Sequence, residues 1–166
     1  MRKTAVVSGA AALALVAGQA IAQMSPADRT FATKAASGGE AEVSLGQLAA
    51  KNGASPQVRQ FGQQMVTDHT KANQELQAIA KQQNVTLPTK PDAASMATEQ
   101  RLQATTGGAF DAAYGRDMVE DHQKDIAEFQ KEATSGEDPA LKAFAEKYLP
   151  VLQHHLQLAQ TLNTAH

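Results

Sequence analysis

Three dipeptides fix where long helices begin. Ser25-Pro26, Ser55-Pro56 and Asp138-Pro139 each put a side-chain oxygen where it can accept a free backbone N–H at a helix start. The proline that follows has no N–H to leave unpaired there, and its fixed φ suits the first helical position. The sequence is rich in Ala, Gln, Leu and Lys, all good helix formers, and no segment alternates as a half-buried strand does. The expected class is all-α. The pattern predicts a first helix over residues 26–51, closed near Asn52-Gly53 by a left-handed glycine, and a second over 56–83. After NVTLPTKPD, a short helix is expected over 93–103 with Gly107-Gly108 as its stop, then long helices over 109–133 and 139–162.

Two words repeat along this scaffold. Residues 65–69 read MVTDH and residues 118–122 read MVEDH, and the match extends to Lys71 and Lys124, Glu75 and Glu128, and Gln77 and Gln130. The second and fourth long helices also open alike, as SPQVRQFG and DPALKAFA. The expectation is two helical hairpins related by an approximate internal repeat. Between the second and third long helices lie about 25 residues, enough when extended to exceed the ~35 Å of a 24-residue helix. A connection of that length, carrying a short extra helix, permits the single long crossover of a ferritin-like four-helix bundle.

The N-terminus has the form of an export signal. Met1-Arg2-Lys3 is basic, Ala5 to Ala17 is apolar, and AIA at residues 20–22 has the small-x-small pattern that signal peptidase reads. Cleavage is expected after Ala22, giving a periplasmic or secreted protein whose residues 23–166 form a single domain. No segment reaches the roughly 20 apolar residues of a spanning helix, so no transmembrane anchor is expected in the mature form. The net charge is −2 and Arg101 and Arg116 stand alone, so the basic stripe of a nucleic-acid binder is missing. There is no cysteine, so any metal site must use nitrogen and oxygen.

At 100° per residue each long helix turns one ligand-type side chain inward. His69 falls within the stripe of Phe61, Met65 and Leu76; His122 falls within that of Tyr114, Met118 and Phe129. His155 lies among Leu141, Tyr148 and Leu152 with His154 on the flank, and Glu42 lies on the inner side of the first helix while Glu40 faces water. His154 and His166 are expected to be exposed. Counted from the hairpin turns at 1.5 Å per residue, Glu42 and His69 stand at roughly 15 and 20 Å, and His122 and His155 at roughly 20 and 25 Å. Burying such groups without partners costs a few kcal/mol each, and one metal ion would satisfy all four. The expected ligand set is therefore Glu42, His69, His122 and His155, with Asp125 as an additional ligand candidate. Asp68 and Asp121 are expected to accept ring N–H groups of neighbouring histidines. Such a set suits zinc, iron, copper or nickel, and spacing does not choose among them. Gly38-Gly39 imply close helix approach or local opening beside Glu42, and Pro150 implies a kink before His154.

FATKAASGGEAEVSLGQLAAKNGASPQVRQFGQQMVTDHTKANQEL, with FDAAYGRDMVEDH and LPVLQHHLQLA, closely resembles a bacterial family of exported ferritin-like proteins of unknown function, domain of unknown function 4142, sometimes labelled outer-membrane proteins. The resemblance covers nearly all of the chain beyond residue 22. It implies a four-helix ferritin-like bundle and no settled activity. Against metal-handling ferritin-like proteins, Glu42 resembles the first Glu and His69 and His155 resemble the two histidines. Val66 and Leu152 stand where the glutamates of Glu-x-x-His would be, and helix three offers His122 and Asp125 in place of a Glu. Bridging carboxylates for di-iron chemistry are too few. Two readings follow, with enzyme status open: a bundle binding a divalent transition metal, or a metal-free cell-envelope module whose His and Asp residues form a buried hydrogen-bond network and whose protein partner is unknown.

Overall fold

The computed structural model describes residues 24–164, which form five helices: α1 (Pro26–Asn52), α2 (Pro56–Gln82), α3 (Ala93–Gln103), α4 (Gly107–Ser135) and α5 (Pro139–Thr164). There is no strand among the described residues; the expected signal segment 1–22 and His166 lie outside them. The long helices make a ferritin-like bundle of two hairpins, α1 with α2 and α4 with α5, and the connection carrying α3 crosses between them. No described helix is long and apolar enough to cross a membrane.

The caps form as written in the sequence. Ser25 Oγ accepts the Asp28 N–H at 3.2 Å, Ser55 Oγ accepts that of Val58 at 3.2 Å, and Asp138 Oδ1 accepts those of Ala140 and Leu141 at 3.0 and 2.9 Å. Each such cap stabilises its helix by about 1 kcal/mol. The glycines behave differently from expectation. Gly53 ends α1 at φ −55°, outside the left-handed region; it is needed for space, because a Cβ there would lie 2.8 Å from Ala49 O and 2.8 Å from Val58 Cγ1. Gly107-Gly108 open α4 instead of stopping α3, and Gly107 at φ +62° makes the turn into the helix that a side chain would strain. Glu40 is half-buried rather than facing water, and accepts from the Asn73 amide at 3.3 Å. That Asn73 lies against Gly39, where a Cβ would meet its Oδ1 at 2.0 Å, so close approach rather than opening explains this glycine. Pro150 is exposed within α5, which continues through it.

A second close approach sets the α1–α2 pair. A Cβ on Gly62 would lie 2.6 Å from Gly46 O, and one on Gly46 would lie 2.8 Å from Gly62 O. The two backbones nearly touch one turn after Glu42 and two turns before His69, which brings those side chains together. The apolar interior is in two parts. One contains Phe31, Leu76, Phe129, Phe144 and Leu152; the other contains Leu45, Phe61, Met65, Phe110, Tyr114 and Met118. On every long helix the inward polar residue falls between the two parts.

Each hairpin turn is held by the other hairpin. Asp28, in the first turn of α1, accepts the backbone N–H groups of Glu137 and Asp138 at 3.1 and 3.0 Å. Asp111, just past the first turn of α4, accepts those of Ala54 and Ser55 at 2.8 and 2.7 Å. Both carboxylates are 1% exposed, so these charge-assisted bonds form out of reach of bulk water.

Candidate metal centre

Glu42 of α1, His69 of α2, His122 of α4 and His155 of α5 meet in the layer between the two apolar parts. None is more than 5% exposed. The ring centroids of His69, His122 and His155 lie 5.3 to 5.8 Å apart. One nitrogen of each ring lies within 4.8 Å of the corresponding nitrogens of the other two.

Hydrogen bonds decide which nitrogen of each ring carries a proton. His122 Nδ1 is 3.0 Å from Met118 O, which can only accept, so Nδ1 holds the hydrogen and Nε2 presents a lone pair. His155 Nε2 donates to Asp68 Oδ2 at 2.9 Å, leaving Nδ1 bare. His69 Nδ1 pairs with Glu42 Oε2 at 2.7 Å, leaving Nε2 bare. His69 Nε2, His122 Nε2 and His155 Nδ1 are buried and have no hydrogen-bond partner. Three adjacent imidazoles are thus each held through one nitrogen and left with the other bare, which is how ligating histidines are held.

The electrostatics keep the rings neutral. Burial pulls His69 and His155 down to about 4, and burial with the neighbouring rings pulls His122 to about 3. Glu42 is pushed the other way, well above the usual carboxylate range, first by burial and then by the charge of Asp121. Its Oε1 lies 3.3 Å from the bare His122 Nε2, two acceptors face to face. Such a pair needs a proton or a cation between or beside it.

The other expected carboxylates divide. Asp68 contacts a histidine ring, that of His155 across the bundle. Asp121 hydrogen-bonds to no ring: it sits at the margin of α4, half-buried, and lines the cleft beside α3. One oxygen each of Asp121, Asp125 and Glu42 lie within 4.8 Å of one another. Burial and the nearby Glu42 and Asp121 push Asp125 well above its ordinary range. A cavity of about 20 Å³ touches Glu42, Asp68, His69 and Asp125, room for about one water-sized particle. His154, next to His155, is exposed.

Two neighbours of the site escape a sequence reading. Tyr114 hydroxyl is buried without a partner and is pushed far up by burial and by Glu42, and Asn73 lines the small cavity. Tyr114 reads from its helix stripe as plain packing, and only the position of its hydroxyl beside the polar layer says more. Asn73 sits at a buried helical position where a polar residue is the one available signal.

The profile of a family described as a domain of unknown function, DUF4142, matches residues 14–162. The chain belongs to that family. Among curated proteins this DUF4142 chain has no significant match. Solved structures share its fold. A DUF305 fragment from Deinococcus radiodurans aligns with a TM-score of 0.76 at 11% identity, covering 87% of this chain and 99% of its own. CopM in the Ag-bound form aligns at 0.69 and 13% identity, covering 83% and 96%. A conserved hypothetical protein, rv2844, from Mycobacterium tuberculosis aligns at 0.66 and 14% identity, covering 84% and 92%. At these identities the likeness is one of fold.

Proposed function

We propose that this DUF4142 protein binds one divalent transition metal ion in the bundle core through His69, His122 and His155, with Glu42 completing the set. The observation that carries the reading is the trio of buried rings, each with one unpartnered nitrogen and each offering a nitrogen within 4.8 Å of a nitrogen of the other two. A metal about 2.0 Å from each nitrogen would bring tetrahedrally placed ligands to about 3.3 Å of one another, a contraction that side-chain rotation within one layer can supply. Three imidazoles and a carboxylate suit zinc, copper, iron or nickel. The fold neighbour CopM is known in an Ag-bound form, which supports a transition-metal role for a bundle of this shape. The cost of the layer supports it too. Four apolar side chains there would join the two halves of the core, each contributing about 1.5–3 kcal/mol.

Binding proceeds in this reading from groups already poised. The rings are neutral, so no proton must leave them. Glu42 faces His122 with its carboxyl group raised by burial, so ligation, which needs the ionised form, competes with its proton. Asp68 and the Met118 carbonyl keep two rings from rotating away.

The test is titration of tag-free protein, prepared without chelator, with Zn²⁺, Cu²⁺, Ni²⁺ and Fe²⁺ under anaerobic conditions for iron. About one equivalent of at least one ion should bind and raise the melting temperature, since an ion at 100 times its Kd adds about 2.7 kcal/mol to folding. Uptake below about a tenth of an equivalent for every ion would leave the metal-free hydrogen-bond network as the better reading. We further propose that residues 1–22 are a signal peptide and residues 23–166 one exported domain; N-terminal sequencing of protein from the periplasm should begin at Gln23.

A further inference from the structure

We infer that Glu42, Asp121 and Asp125 form a second cation site, made of oxygen alone and fitted to a hard divalent ion, that adjoins the histidine site and shares Glu42 with it. The inference rests on the proposed histidine site for its neighbour and not for its own ligands. Side-chain groups in the polar layer sort into two close sets, nitrogens of three histidines and oxygens of three carboxylates. Asp121 and Asp125 are one turn apart on α4 and flank His122, and Glu42 reaches them from α1. Carboxylates gathered this way suit Mg²⁺, Ca²⁺ or Mn²⁺, as imidazoles suit softer ions.

Acidic residues alone would not make a site. The independent observation is at Glu42, which is 1% exposed and whose Oε1 has no hydrogen-bond partner. His122 Nε2, on a ring with no exposure, points at that oxygen from 3.3 Å with its own lone pair. A buried oxygen facing a lone pair, with two more carboxyl groups beside it, is a place where a cation can take over the role of a proton. Among the described residues, neither Asp121 nor Asp125 makes a hydrogen bond or ion pair. Lys124 pairs with Glu120 at 2.8 Å and acts on the two aspartates only through its charge, without an ion pair.

Solvent reaches one member of the set. Asp121 forms part of the wall of an open cleft of about 340 Å³ between α3 and α4, shared with Asp92, Ser95, Thr98 and Asp117. A hydrated ion can reach Asp121 there, past Arg101 and Lys124 on the same wall. Asp121 would then serve both as ligand and as entry.

The experiment uses Mn²⁺ as probe on full-length mature protein, followed by the loss of the free Mn²⁺ electron paramagnetic resonance signal, with and without prior loading of one equivalent of Zn²⁺. The expected result is one equivalent of Mn²⁺ bound by Zn²⁺-loaded protein. Asp121→Asn and Asp125→Asn should each weaken Mn²⁺ binding about tenfold or more, and in Asp121→Asn, whose side chain touches no histidine ring, Zn²⁺ uptake should stay within about threefold of the parent. His155→Ala, which removes a ring and no member of the carboxylate set, should keep Mn²⁺ and lose Zn²⁺. Circular dichroism and thermal melts establish that each variant is folded. Absence of Mn²⁺ binding, or binding indifferent to both Asn variants, overturns the inference. Loss of both ions in His155→Ala with the helices intact also overturns it, because one mixed site would then explain everything. If Mn²⁺ binds through Asp121 and Asp125 while none of Zn²⁺, Cu²⁺, Ni²⁺ and Fe²⁺ binds, the carboxylate site stands and the histidine reading falls.

Discussion

His69 and His122 hold the same place in the same five-residue word, yet different groups hold their rings. The Glu42 carboxyl, from α1, takes His69 Nδ1 at 2.7 Å, whereas His122 gives its Nδ1 hydrogen to Met118 O of its own helix at 3.0 Å. The aspartates that precede them differ more. Asp68 secures His155 across the bundle, and Asp121 binds no ring and lies with other carboxylates. The repeat copies the depth of a side chain, because depth depends on the helix's own period. It does not copy partners, which come from whatever faces the helix. Three residues after each histidine the copies also diverge, Ala72 against Asp125, and that one difference gives the second half a carboxylate the first half lacks.

The sharpest way to break this comparison is to remove each ring. His69→Ala and His122→Ala should each lower transition-metal affinity at least about a hundredfold by calorimetric titration, because water replaces a lost imidazole poorly. His155→Ala should do the same. Equal losses mean that unlike supports hold like ligands. If one variant keeps parental affinity while still folded, that ring is only part of the packing.

Acid should act on all three rings together. In the unfolded chain a histidine takes up its proton near 6.5, and in the fold His69 and His155 do so only near 4 and His122 only near 3. Between those values the unfolded chain binds more protons, so the stability these neutral rings confer is complete above about pH 6.5 and is lost as pH falls towards 4. Glu42 and Asp125 act with the opposite sign, since their raised folded values favour the fold at low pH and lose that contribution as pH rises. Urea midpoints of ion-free protein from pH 8 to 4 should therefore fall on the acid side less steeply in His122→Ala than in the parent. Bound metal should leave over the same acid range; retention at pH 4 would contradict ligation by these rings.

A smaller effect separates the two aspartates. Asp68→Ala should weaken transition-metal binding about 10- to 100-fold by freeing the His155 ring, while Asp121→Asn should leave it within about threefold. The reverse order would mean that the repeated words have exchanged the roles assigned to them. The smallest effect belongs to His154→Ala, next to the buried His155: parental affinity and a change in stability within about 0.5 kcal/mol by urea denaturation.

The helix starts were legible because a cap and its proline are local, needing no knowledge of the rest of the chain. Depth was legible for the same reason: period alone puts His69, His122 and His155 inside and His154 outside. What failed was judged by residue type without its surroundings. Gly53 read as a conformational need and is a spatial one, set by Val58 and Ala49; Gly107 read as a stop and is a start. Glu40 read as solvated because Asn73, its partner, lies on another helix. The carboxylates at the turns left no sequence signal at all, since Asp28 and its acceptor duties at Glu137 are 109 residues apart.

Those two carboxylates make the hairpins interlock. Neither hairpin, closed on itself, can satisfy the N–H groups of its own turn: residues 54 and 55 wait for Asp111, and 137 and 138 wait for Asp28. Each half is the missing piece of the other, so internal repetition here does not yield two independent units. A chain severed in the crossover would give two fragments, each unfinished at its tip, that regain structure only as a heterodimer. Two intact chains could equally trade halves across a concentrated solution, because the reciprocal carboxylates recognise a turn and are indifferent to which polypeptide supplies it.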